Sequence, residues 1–330
     1  MNMTGSRAGR RSGTALTAGA REDAAARPQQ RLKGALILSA AVAVTSLQDA
    51  FIKDLSAAYP VYEMQIFRGG AALILIFGWI VAGGGLRQLL TTRPSGLLLV
   101  RSLILSVASL SFYVSLAGMQ FADAVAIYFS LPLMIAALSG RLIGEHVPPQ
   151  RWIAIGAAFV GVAIIAQPGR GVFNPAALIV LFATLCYAVG LMLTRPVGMR
   201  VPSAVMGFWQ LIGFVTTGVF LALIFGTGAF HDADHPSFSY LTAGWVSPTP
   251  RDLAEMLGFG VAAALATILY TAGYKVVAPS FVAPFEYPSL IWASVWGFML
   301  WGDVPATATF AGAALIVAAG LWMIWRESRG

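Results

Sequence analysis

From residue 34 to residue 325 the chain alternates between long apolar runs and polar breaks. Crossing the hydrocarbon core of a bilayer takes roughly 20 apolar residues in helical form. Runs of about that length lie at 34–53, 61–83, 97–118, 122–143, 151–167, 174–194, 204–229, 255–275, 280–301 and 307–325. Most breaks are short and hold Pro, Gly or charge, as at Ala57–Pro60, Thr91–Ser95, Pro148–Pro149, Pro168–Asn174 and Gly302–Pro305. One is long and polar, from His231 to Asp252, with Pro236, Pro248 and Pro250. Strands of a membrane barrel alternate polar and apolar residues over about ten positions, and these runs do not. The pattern therefore predicts an all-α integral membrane protein with ten transmembrane helices. Residues 1–33 carry no such period and are rich in Arg, Ala, Gly and Ser, so they read as a disordered basic tail. The first apolar run is nearer spanning length than the apolar core of a cleaved signal peptide, and reads as a retained anchor.

Composition sharpens this picture. The chain is 58% hydrophobic and only 11% charged, with a mean hydropathy of +0.77. A soluble domain carries about a quarter of its residues charged, so this surface must meet lipid. Charge then orients the helices. With ten spans and a cytoplasmic N-terminus, the inner segments hold the tail cations plus Arg87, Arg93, Arg101, Arg141, Arg151, Arg195, Arg200, Lys275, Arg326 and Arg329. The outer segments hold only Lys53, Arg68, Arg170 and Arg251. This asymmetry follows the positive-inside rule and places both termini in the cytoplasm. The formal net charge of +7 is thus a topology signal and not a nucleic-acid footprint. The basic tail has anionic lipid as its natural partner.

The two halves repeat one another. Lys53, Pro60 and Arg68 fall on Arg195, Pro202 and Gln210 at one constant spacing. Further along, Tyr113 falls on Tyr270, Val125–Ala126 on Val282–Ala283, and Gly144–Glu145 on Gly302–Asp303. The spacing changes between these sets because of the long 231–252 connection. Five helices per half is an odd number, so the halves must face opposite ways. Inverted repeats of this kind are a transporter signature. The expected division is a basic tail at 1–33, a first repeat at 34–169, a second at 170–326 and a cytoplasmic tail at 327–330.

The chain after residue 33 resembles the drug/metabolite transporter superfamily, of the ten-helix EamA type. The resemblance rests on Ala122-Asp-Ala-Val-Ala-Ile-Tyr-Phe-Ser-Leu-Pro132, Gly144–Glu145, Gly161-Val-Ala-Ile-Ile-Ala-Gln-Pro-Gly169, Ala283-Pro-Phe-Glu-Tyr287 and Gly302-Asp-Val-Pro305. Asp303 stands where that family usually has Glu, and Pro288 follows Phe-Glu-Tyr where no proline is expected. The resemblance implies a secondary transporter of a small organic metabolite, amino-acid-, nucleoside- or vitamin-like, in the plasma (bacterial inner) membrane, working by alternating access as a monomer or homodimer. It also implies a solute site near mid-membrane between the halves.

Candidate chemistry lies in the charges within the spans. Such a group costs roughly 2.5–3.5 kcal/mol on insertion scales, so it marks function by default. Glu286 sits about 9 Å into the ninth span at 1.5 Å per residue, between Phe285 and Tyr287. It is a candidate for proton coupling, or for a structural pair with Arg101 in the third span. Asp49 and Arg68, in the first and second spans, form a neutralising pair or an outer gate. Tyr128, Tyr187, Tyr270 and Trp292, with Glu286, are the expected substrate contacts, since aromatic faces suit planar or cationic solutes. The competing role for such aromatics is lipid or helix contact. Gly156, Ala157, Ala158, Gly161, Gly312, Ala313 and Ala314 give the fifth and tenth spans narrow faces for close packing.

The sequence holds no phosphate loop, nucleophile elbow or metal-ligand spacing. Cys186 stands alone, and His146, His231 and His235 are scattered. No cofactor, no metal and no enzymatic role is expected. A channel would need a charge ring or a carbonyl filter, and neither is visible.

Overall fold

The computed structural model describes residues 28–92, 94–142, 149–166, 174–198, 201–231, 234–276 and 288–327. Among these, every regular element is an α-helix. In chain order they are α1 (Pro28–Leu55), α2 (Val61–Ala82), α3 (Leu86–Thr91), α4 (Gly96–Ala117), α5 (Phe121–Tyr128), α6 (Leu131–Leu142), α7 (Pro149–Ala166), α8 (Ala176–Gly198), α9 (Ser203–Phe225), α10 (Pro236–Thr242), α11 (Pro250–Val276), α12 (Pro288–Trp301) and α13 (Thr307–Glu327). Five of them are long and apolar enough to cross a membrane by length and composition, and further apolar helices are shorter. The outward faces are apolar to a degree water would not tolerate: Leu223 is 79% and Ile74 72% exposed. Large exposed apolar surface on a folded chain marks contact with lipid or protein.

The apolar runs expected from the sequence coincide with helices over their described residues, with one difference. The 122–143 run is split between α5 and α6 at Phe129 and Ser130. Pro132 has no N–H to give the Tyr128 carbonyl, and a proline ring clashes with the carbonyl four residues back. The chain turns once and restarts, with the Ser130 carbonyl taking Leu133 and Met134 N–H at 3.1 and 3.0 Å. Two short helices, α3 and α10, lie in connections that pattern alone reads as loops.

The bundle has two ends. At the first, here the Tyr59 end, α1 finishes and α2 begins. At the second, the Ser95 end, α4 begins behind an N-cap in which the Ser95 hydroxyl accepts from Leu98 N–H. The principal packed pairs are α4 on α8, α7 on α13, α1 on α11, α2 on α9, α2 on α11 and α4 on α9, then α1 on α12 and α6 on α8. Exchanging each helix for the one that the sequence repeat assigns to it leaves this set of pairs unchanged. The match extends to single residues. A Cβ on Gly213 would meet Ser102 and Ser106 on α4, and one on Gly260 would meet Ala71 and the Arg68 carbonyl on α2. Gly213 stands as far from Ala71 as Arg195 from Lys53, and Gly260 as far from Ser102 as Gly302 from Gly144. The narrow faces of α7 and α13 meet one another: a Cβ on Gly161 would lie 2.7 Å from the Gly312 carbonyl.

The long connection folds back over the Tyr59 end. Tyr62 Oη donates to the Ala243 carbonyl (2.7 Å), and Val246 N–H donates to Glu63 Oε2 (3.2 Å). Trp245 packs on Tyr62 and Phe67. Tyr59 Oη donates to Asp252 and accepts from Thr249 N–H; the Asp252 bond, which holds the phenol's proton, raises the Tyr59 pKa. The segment thus covers Glu63, which has no exposed surface.

Candidate functional site

The side chains singled out from the sequence fall into three groups. The first joins α1, α2 and α4. Arg68 Nη1 donates to Tyr113 Oη (2.8 Å), and Tyr113 Oη donates to Asp49 Oδ1 (3.0 Å). Gln48 Nε2 donates to the same hydroxyl at 3.4 Å. The Arg68 guanidinium also lies over the Tyr113 and Phe214 rings, 4.9 and 5.6 Å from their centroids. Asp49 and Arg68 are therefore linked by a phenol and not by direct contact. Gly260 fixes the backbone here, since its lack of a side chain lets α11 close on the Arg68 carbonyl.

The second group joins α4, α8 and α9 toward the Ser95 end. Arg101 Nε donates to Thr194 Oγ1 (2.7 Å), and Nη2 donates to Gln210 Oε1 (3.3 Å). Thr194 passes its own proton to the Gly190 carbonyl (2.9 Å). Two glycines deliver these partners. Gly190, one turn before Thr194, presses α8 onto Leu105, and Gly213, just after Gln210, presses α9 onto Ser102 and Ser106. Arg101 is 7% exposed, and its Nη1 has no hydrogen-bond partner. Among the described residues no carboxylate pairs with it.

The third group is aromatic. Phe112, Tyr128 and Tyr187 form a column, with centroids 5.4 Å apart between the first two and 5.7 Å between the last two. Trp292 stacks on Trp296 at 5.8 Å on α12. The side chain of Tyr270, on α11, and all of Glu286 lie outside the described residues.

Other features escaped the sequence reading. Lys53 Nζ donates to the Met119 carbonyl (2.7 Å), lies 3.9 Å from Asp303 Oδ2, and sits 4.9 Å from the Trp301 ring centroid. Gly302 takes φ +68°, a left-handed turn open to glycine at little cost. That turn, with Asp303 N–H on the Gly297 carbonyl, brings Asp303 round to Lys53. A cavity of about 200 Å³ opens at the Tyr59 end between Ser56–Tyr59, Ala117 and α10. It holds none of the expected solute contacts. Tyr113 was visible in the sequence as a repeated position, and Gln210 as the repeat partner of Arg68. Neither had a signal for its contacts, which arise only when helices distant in sequence pack. No group of three or more metal-ligating side chains exists among the described residues.

Known proteins agree with this architecture. Residues 32–167 match the EamA-like transporter family. The S-adenosylmethionine uptake transporter of Rickettsia bellii is 24% identical over 86% of this chain and 91% of its own. The riboflavin transporter of Rhizobium johnstonii is 27% identical over 70% of each chain. The pseudopaline exporter CntI of Pseudomonas aeruginosa is 23% identical over 87% of this chain and 95% of its own. One solved crystal structure superimposes with a TM-score of 0.60 at 17% identity, over 90% of this chain and 98% of that one, and so shares the fold.

Proposed function

We propose that this chain, which matches the EamA-like transporter family over residues 32–167 and resembles transporters along most of its length, is a secondary carrier of the drug/metabolite transporter superfamily moving a small organic metabolite by alternating access. It is an integral membrane protein and a small-molecule transporter, not an enzyme. The mechanism rests chiefly on the packing symmetry. Each principal contact between the two halves has a counterpart with the halves exchanged, down to Gly213 on Ser102 and Gly260 on Ala71. Two equivalent halves of opposite orientation exchange an outward-open for an inward-open state by swapping conformations. On this reading the chain makes ten crossings of the plasma membrane as two inverted five-helix repeats, with both termini cytoplasmic and the Tyr59 end outside.

The solute site lies between the halves, walled by Tyr128 and Tyr187 and completed by Trp292, Tyr270 and Glu286. Glu286 carries the coupling proton. The test is flux into proteoliposomes holding the purified chain. S-adenosylmethionine, riboflavin and pseudopaline are the first solutes to try, because relatives are named for them. Saturable uptake with counterflow is expected for at least one small metabolite, and Glu286→Gln is expected to keep exchange while losing accumulation driven by a proton gradient. Flux that never saturates would make the chain a channel, and accumulation by the Gln variant would remove the coupling role.

A further inference from the structure

We infer that Arg101 is the anchor for a carboxylate on the transported solute, an assignment that rests on the transporter reading and narrows its substrate class. The argument begins with a cation out of balance. Arg101 is held by two neutral acceptors, Thr194 Oγ1 and Gln210 Oε1. Thr194 is itself committed to the Gly190 carbonyl. These contacts fix the plane of the guanidinium, and among the described residues no carboxylate answers its charge. A charge buried within a membrane requires a partner, and hydrogen bonds to neutral groups satisfy donors without supplying counter-charge.

The unfilled part of the group has a shape. Nε is taken by Thr194 and one Nη2 proton by Gln210, while Nη1 is unpartnered. What remains is the terminal edge of the guanidinium, one N–H from each Nη. That edge is the fork which receives the two oxygens of a carboxylate in parallel. Phosphate presents two oxygens as well, but it is close to doubly charged at neutral pH. One guanidinium neutralises a monoanion and leaves a dianion in excess. Arg68 offers no second cation, because its charge is answered by Asp49 through Tyr113. A monocarboxylate matches the single charge of one guanidinium at this point. Its body has an aromatic surface on the helix that holds Thr194, since Tyr187 lies two turns before Thr194 on α8 and packs at a tilt on Tyr128. A planar or aromatic acid fits both parts.

The experiment uses the full-length chain purified in detergent. Melting temperature is followed with indole-3-acetate and N-acetylphenylalanine, each beside its neutral amide, for the wild type and for Arg101→Met. The acids are expected to stabilise the wild type and the amides not. Arg101→Met is expected to weaken the apparent affinity for the acid roughly 10–100-fold, the range of a hydrogen bond to a charged group. Without ligand, Arg101→Met is expected to melt at or above the wild-type temperature, because it removes an unbalanced buried charge while keeping an apolar stem. A sharp drop in the ligand-free melting temperature would overturn the assignment: it would mean that Arg101 has a protein counter-charge, with Glu286 the first to examine. Acids that stabilise no better than their amides would overturn it too. Acid-specific binding without saturable flux would break the transporter reading and leave this one standing, whereas flux with no preference for acids would break this one alone.

Discussion

Arg68 and Arg101 are both more than nine-tenths buried, both on membrane helices, and each hydrogen-bonded to side chains of neighbouring helices. Their surroundings differ in kind. Arg68 reaches an acid through Tyr113, so its cluster is balanced within the protein. Among the described residues Arg101 donates to a threonine hydroxyl and a glutamine carbonyl and to no carboxylate. A balanced cluster is a structural element, which holds α1, α2 and α4 in register whether or not solute is present. An unbalanced one is incomplete until something arrives. On the proposed reading the first cluster ties α1, α2 and α4 together, and the second, farther along α4, is the one a ligand completes.

The division predicts opposite responses to neutralisation. Asp49→Asn leaves Arg68 buried without its acid, and breaking a buried pair from one side costs about 3–5 kcal/mol. Arg101→Met removes the unbalanced charge itself and is expected to stay within about 1 kcal/mol of wild type or above it, since apolar replacement of buried charge is often neutral or stabilising. Thermal unfolding of both variants in one lipid-detergent mixture measures the contrast. Equal losses would erase the distinction between the two arginines.

Tyr113→Phe sharpens the first half of the comparison. It keeps the ring beneath Arg68 and deletes the hydroxyl that Arg68, Gln48 and Asp49 share. Leaving buried polar groups unsatisfied costs about 1–3 kcal/mol, so the variant should melt between Asp49→Asn and wild type. A phenylalanine variant as stable as wild type would mean that the link is not what holds these helices.

The glycines that seat the two clusters give a smaller contrast. In Gly260→Ala the new methyl would stand 2.4 Å from Ala71 Cβ and 2.6 Å from the Arg68 carbonyl, neither able to swing aside. In Gly213→Ala the nearest atom is the Ser106 hydroxyl at 2.8 Å, which rotates, and the Ser102 carbonyl is 3.1 Å away. Overpacking costs about 1–3 kcal/mol, so Gly260→Ala belongs at the upper end and Gly213→Ala at the lower. The reverse order would show that the Arg101 side is the more rigid of the two.

Much of this molecule was readable in its sequence. The helices were, because runs of spanning length have no other stable form in lipid. The spacings that set Lys53 on Arg195 and Gly144–Glu145 on Gly302–Asp303 supply the exchange of helices under which the packed pairs map onto one another. The break at Phe129 was missed although Pro132 stood in the run, because hydropathy counts side chains and a missing N–H is a backbone property. Asp49 and Arg68 could be paired from their short connection alone. That Tyr113 would bridge them, and that Thr194 and Gln210 would take Arg101, depended on where α4 meets α8 and α9. Such contacts are set by Gly190 and Gly213, whose small size says that something approaches and not what. Tyr113 and Gln210 still carried a trace, since each is a repeat position.

The smallest effect is expected at Lys53, and the reason lies in water. Its ammonium is 3.9 Å from Asp303, beyond hydrogen-bond length, and the two side chains are 14% and 28% exposed at the end of the bundle. Ion pairs near solvent contribute about 0.2–1 kcal/mol by double-mutant cycles. The bond to the Met119 carbonyl and the Trp301 ring add contacts that do not depend on Asp303. Lys53→Met keeps an apolar stem over Trp301 and removes the charge, so it should lower the melting temperature less than Tyr113→Phe or Gly260→Ala. In a cycle with Asp303→Asn the coupling should fall below about 1 kcal/mol, and added salt should shrink it further. Asp303 lies between α12 and α13 while Lys53 closes α1, so this pair ties the start of the bundle to its end. A coupling as large as the loss in Asp49→Asn would make the Lys53 contact, and not the Arg68 cluster, the principal tie at the Tyr59 end.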